Sequence, residues 1–359
     1  MNKLVLVILS PLVVLVVSCN RSSIVGKDSV ELLAPAISFD LSRDETFDGV
    51  SMKLVGSESV QIVQDTLIVI QSQISDVSPK FFQVYSAINK HCRGSYVFRG
   101  RGPDELLQPY ITRTNSSLPV LNVYDMASGS AYKIDVTGAQ EKGHNAIMQK
   151  ITLPDNTIDW IPLSDNLSFT LTILRNELTG MCINQNGSIS QEYKLFPKID
   201  AINHITRLSS ILVSNNTTGQ IAIFMVCFPH VIIIDPEKEK INSYAVDKSF
   251  RKWSTVLDSP LGPESIQYYS DATTSSDFIF AAYSGDSVRE TNNAAHGTTI
   301  HVFDWAGNLL GAIKLRENLI RMSYDARSQH LYCIEQKGDL IRYDMSDILA
   351  GIMSKRYYR

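Results

Sequence analysis

The hydrophobic positions of this chain fall in short runs rather than helical stripes. Gln61-Ile62-Val63, Thr66-Leu67-Ile68-Val69-Ile70, Val231-Ile232-Ile233-Ile234 and Thr299-Ile300-His301-Val302-Phe303 are rich in β-branched residues and bounded by Asp, Asn, Gly or Pro. Such runs fit a pleated, largely buried sheet. No segment carries a long helical period, and the charged stretch 236–240 reads as a turn. The expected class is all-β.

The runs also recur in one form: an apolar strand, often closed by Asp, then a polar turn and another strand. Leu121-Asn122-Val123-Tyr124-Asp125 precedes Ser128-Gly129, and Val302-Phe303-Asp304 precedes Ala306-Gly307-Asn308. In both, the carboxylate can accept turn N–H groups while Gly supplies a positive φ. Copies around Tyr85, Asn184, Asp235 and Asp344 bring the number to six. With Tyr85, Asp125, Asn184, Asp235, Asp304 and Asp344 as phase markers, the spacings are 40, 59, 51, 69 and 40 residues. A four-stranded propeller blade takes about 40 to 50 residues. One small sheet cannot bury both faces, whereas radial stacking gives each sheet a neighbour and leaves only short edges. The expectation is a six-bladed β-propeller of four-stranded antiparallel blades. A β-sandwich is the alternative, and the chain is long for one. The widest interval, 235 to 304, contains polar stretches at 248–259 and 287–297 that read as inserted loops.

The first residues follow a different pattern. Lys3 is the only charge before an apolar stretch from Leu4 to Val17, about the length of a signal-peptide core and short for a membrane span. Leu15-Val16-Val17-Ser18-Cys19 resembles a bacterial lipobox. This divides the chain into a signal peptide at 1–18, a polar tether at 19–35 carrying a lipid on Cys19, and the propeller at 36–359. The partner expected at this end is a membrane, reached through the lipid. The residues after Cys19 lack an acidic run of the kind that resembles a surface-export signal, so the expected location is the outer membrane, facing the periplasm.

Two further stretches carry a family resemblance. Val97 to Leu106, with Gly100-Arg101-Gly102-Pro103-Asp104-Glu105 at its centre, resembles the G-x-G-P-x-E segment of the TolB-like six-bladed β-propeller lipoproteins of Gram-negative bacteria. Ile266 to Asp271 followed by Asp277 to Gly285 is similar to that family's tyrosine-rich strand and the strand ending in Tyr-Ser-Gly. The order of lipobox, Gly-Pro-Glu loop, hairpins and closing Tyr-Asp matches along nearly the whole chain. Asp104 departs from the small residue that relatives commonly carry there. The resemblance implies a lipid-anchored propeller and no particular reaction.

Composition narrows the function. The 359 residues carry a net charge of −4 and no Lys/Arg cluster long enough to track a phosphate backbone, so nucleic acid is not an expected partner. The basic end, Lys355-Arg356-Tyr357-Tyr358-Arg359, reads as a solvated terminus. Cys92, Cys182, Cys227 and Cys333 form no CxxC pair, and the seven histidines form no HxH or HxxxH pair, so no metal or other cofactor is expected. No G-x-S-x-G elbow or phosphate loop occurs, and no catalytic residue is assigned. Candidate binding residues are Arg101, Asp104 and Glu105 on the Gly-Pro loop, with Tyr269 and Asp271 on the tyrosine-rich strand. Each has a competing structural role: Glu105 in accepting loop N–H groups, and Tyr269 in filling space between blades. The favoured function is a non-enzymatic propeller binding a protein, peptide or glycan in the cell envelope. The alternatives are a lyase or metal-assisted hydrolase in the central channel and a purely architectural envelope subunit.

Overall fold

The computed structural model describes residues 29–31, 38–41, 45–46, 57–64, 66–72, 79–89, 91–114, 118–136, 146–196, 204–246, 253–292 and 297–356. The signal peptide, Cys19, His144, His296 and the last three residues lie outside them. The strands form six sheets. Their innermost members are Ser57–Val63, Pro109–Ile111, Thr157–Pro162, Ser210–Ser214, Ile266–Thr274 and Leu319–Asp325, which open blades 1 to 6 in chain order. Each blade then steps outward through antiparallel neighbours, so the six-bladed propeller stands.

The phase markers fall one per blade. Tyr85, Asn184, Asp235, Asp304 and Asp344 lie on third strands, whereas Asp125 closes a second strand. The residue of blade 2 in the common phase is Asp135; with it the first three spacings become 50, 49 and 51. Asp304 caps its own turn, accepting from the N–H groups of Ala306 (3.0 Å) and Asn308 (2.9 Å). Asp125 instead holds the incoming connection through the N–H groups of Leu107 (3.3 Å) and Gln108 (2.7 Å).

Blades 1, 4 and 5 carry a fifth strand. In blades 4 and 5 it comes from the N-terminal segment. Ser29–Glu31 runs parallel to the outer strand of blade 4, and Ser38–Leu41 parallel to that of blade 5. Glu45–Thr46 then pairs antiparallel with Leu340–Asp344 as the fourth strand of blade 6, next to blade 1, and so closes the ring. Among the described residues, pairing thus begins at Ser29, inside the stretch expected as tether. The second departure from the sequence pattern is helical. A helix spans Ser346–Arg356, and another, Trp253–Asp258, lies within the expected insertion. Ile348, Leu349 and Ile352 are buried against blades 5 and 6, a stripe at helical spacing.

The innermost strands have no further strand to pair with. Their backbone groups are met by polar side chains from neighbouring blades, as buried peptide groups require. Ser323 accepts the Ile62 N–H (2.9 Å), Thr273 the Tyr324 N–H (3.0 Å) and Gln71 the Ile111 N–H (3.1 Å), while Thr274 donates to the Ser214 carbonyl (3.0 Å). Tyr124 of blade 2 donates to the Thr157 carbonyl of blade 3 (2.5 Å). Between the blades the fill is apolar and aromatic, for example Phe224 and Tyr269 at 4.9 Å between blades 4 and 5.

Candidate functional site

Each innermost strand starts at one end of the channel, here called the upper face. The connections between blades cross this face, and each second strand returns to it. Just beyond the short innermost strand of blade 2, Arg113 forms an isolated parallel bridge to Val213 of blade 4. Its Nε donates to Asp271 Oδ1 of blade 5 at 2.6 Å, and Asp271 Oδ2 accepts the Met322 N–H of blade 6 at 2.7 Å. Asp271 is 3% exposed and Arg113 23%. Burial works against the Arg113 charge, and the Asp271 carboxylate more than compensates, leaving its pKa raised. One ion pair therefore ties together opposite sides of the ring.

Above this pair lies a cavity of about 610 Å³ between blades 2, 3 and 4. Ile111, Ile158, Ile173, Met126 and Ile205 contribute to its wall, and Arg113 and Asp159 are its charged members. Asp159 accepts the Trp160 N–H at 2.8 Å. Its pKa is pushed up to about 6, because burial outweighs the opposing effects of Arg113 and that hydrogen bond. The cavity thus joins apolar walls to an anchored guanidinium and a carboxylate that titrates near neutrality. Met126 is 47% exposed and Ile205 43%, and Leu107 is exposed on the same face beside Asp125. A second, smaller cavity of about 300 Å³ opens on the same face between blades 5 and 6.

The residues singled out in the sequence are dispersed. Glu105 Oε2 accepts the Gly102 N–H at 2.8 Å, and a Cβ on Gly100 would fall on the Glu105 carboxylate, so Glu105 and its glycines build the loop itself. Arg101 and Asp104 are exposed on that loop and line neither cavity. Tyr269 is fully buried between blades 4 and 5, its hydroxyl 3.4 Å from His301 Nδ1. Asp271 is in the channel but committed to Arg113 and Met322. The charged residues of the larger cavity, Arg113 at its base and Asp159 in its wall, are not among those the sequence singles out. Arg113 sits in a polar stretch after a three-residue strand, and Asp159 is one polar position in an ordinary strand. Neither pattern reveals which side faces the channel. Among the described residues, no three His, Cys, Asp or Glu side chains converge as a metal-holding set.

The chain matches no family model and no curated protein. Among solved structures it is similar to the crystal structure of a member of the DUF4221 family from Bacteroides vulgatus ATCC 8482, with a TM-score of 0.52 and 12% identity. The match covers 89% of this chain and 98% of that one. At that identity the likeness shows the fold alone.

Proposed function

We propose that the chain is a lipid-anchored, non-enzymatic binding propeller that takes an apolar segment of an envelope protein or peptide at the upper mouth of its channel. The observation that carries this is the cavity of about 610 Å³, apolar in its walls, with exposed Met126 and Ile205 among its lining and Arg113 at its base. Binding pockets combine apolar lining with a few fixed polar groups in this way, and clustered exposed apolar side chains mark contact surfaces. Arg113 and Asp271 are bonded to each other, and no observation favours a channel lyase or hydrolase over binding. The lipobox at Cys19 and the resemblance to TolB-like lipoproteins support an outer-membrane anchor facing the periplasm. More than one acyl chain is needed for stable anchoring, so Cys19→Ala should release a folded domain, checked by fractionation and circular dichroism.

The binding reading is tested by selecting peptides from a random display library on the mature protein. Selected peptides should share an apolar segment, bind Ile205→Glu at least about tenfold more weakly, a 1.4 kcal/mol loss, and bind Leu118→Glu unchanged. Leu118 is 62% exposed and lies on the lower face, between the first two strands of blade 2. Equal binding to both variants would overturn the assignment.

A further inference from the structure

We infer that the cavity of about 300 Å³ between blades 5 and 6 is a saccharide site, separate from the mouth above Arg113. Its lining includes the carboxamides of Gln267, Asn318 and Gln336, which come from two blades and make no hydrogen bond to any other described residue. A carboxamide offers a donor and an acceptor side by side, which suits neighbouring hydroxyls of a sugar ring. The Asp286 carboxylate, also on the lining, adds an acceptor without a partner among the described residues.

The aromatic element is Tyr283, half-buried in the wall. Its ring stacks on His301 at 4.2 Å with 17° between planes and meets Tyr269 edge-on at 5.5 Å. Gly285 has a φ of +73°, and a Cβ there would lie 2.5 Å from the Tyr283 hydroxyl. Gly285, within the strand Phe278–Ser287, therefore leaves room for the tyrosine that the His301 stack fixes in place, giving the rigid amphipathic surface on which a sugar's C–H face rests. Arg321 is the single cation of the lining, and it donates to the Ile320 carbonyl at 2.7 Å. With the Asp286 and Glu290 carboxylates also on the lining, the cavity favours a neutral polyol over a phosphate or other anion. Its volume is at the small end for ligand pockets, which suits a mono- or disaccharide.

The test is saturation-transfer difference NMR on the mature protein with maltose, cellobiose, lactose and N,N′-diacetylchitobiose at millimolar concentration. At least one should receive saturation. Its affinity should fall by about tenfold in Asn318→Ala and in Gln336→Ala, as expected for loss of a hydrogen-bonding group. Ile205→Glu should leave it unchanged, which separates this site from the upper mouth. Transfer to none of the four sugars would overturn the inference, as would an affinity that survives both carboxamide variants.

Discussion

Asp159 is a residue whose charge state the fold alters. Its folded pKa of about 6 stands above the ordinary 3.8, with burial as the first cause. The folded chain therefore holds a proton that the unfolded chain gives up. The stability linked to that proton is fully present below the ordinary carboxylate range and is lost as pH rises through about 6. Buried His301 and His230 act in the opposite sense. Both are lowered to about 4 by burial, so their contribution is present above the ordinary 6.5 and is lost as pH falls through about 4. Asp159→Asn removes only the first effect. It should raise the melting temperature at pH 8 and have a smaller effect at pH 5, as measured by thermal denaturation of variant and parent in matched buffers. A difference independent of pH would show that Asp159 is not held in the desolvated setting described for the upper mouth.

Among the elements, the N-terminal segment is part of the ring. Its three short strands lie along the outer edges of blades 4, 5 and 6, and the last supplies the fourth strand of blade 6. An uncovered strand edge is a liability for pairing with other chains. A chain beginning at residue 48 should therefore melt at lower temperature than one beginning at residue 19 and associate at high concentration, checked by calorimetry and light scattering. Equal stability and a monomeric state would mean that the strap adds nothing. Little of this strap was legible in the sequence, because Ser29–Glu31 and Glu45–Thr46 are too short and polar to carry a period-two pattern. The blades were legible because their strands are apolar runs ended by Asp and Gly, chemistry that works within a few residues. Asp125 misled for the same reason. It closes a strand like the other markers, but bonds a connection seventeen and eighteen residues upstream. The helix Ser346–Arg356 carries too weak an apolar period to be read from the sequence, and only the fold shows Ile348, Leu349 and Ile352 packing on blades 5 and 6.

For the whole molecule, the ring makes the two faces unequal. Leu107, Met126, Ile205, Leu261 and Ile266 are exposed large apolar residues at the upper face, where both cavities open. Among the described residues, Ile88, Leu118, Met148 and Ile189 are exposed toward the lower side, so the faces differ in the cavities they carry more than in exposed apolar side chains. This asymmetry arises from which strand ends meet around the channel, a long-range property that no single motif encodes. The candidate site was correspondingly less legible than the fold. Glu105 and Tyr269 stand out because their local patterns are unusual; in the fold Glu105 bonds within its own loop and Tyr269 is buried between blades. Arg113 and Asp159 become a site only through Asp271 and Trp160, the first of them 158 residues away in the chain. The proposed function requires partners to engage the upper mouth. It is tested most directly by placing a photo-crosslinking amino acid at position 205 or at position 118 of the full-length protein in intact cells. Position 205 should give a discrete protein or peptide adduct and position 118 none. Adducts of equal yield from both positions, or from position 118 alone, would contradict it.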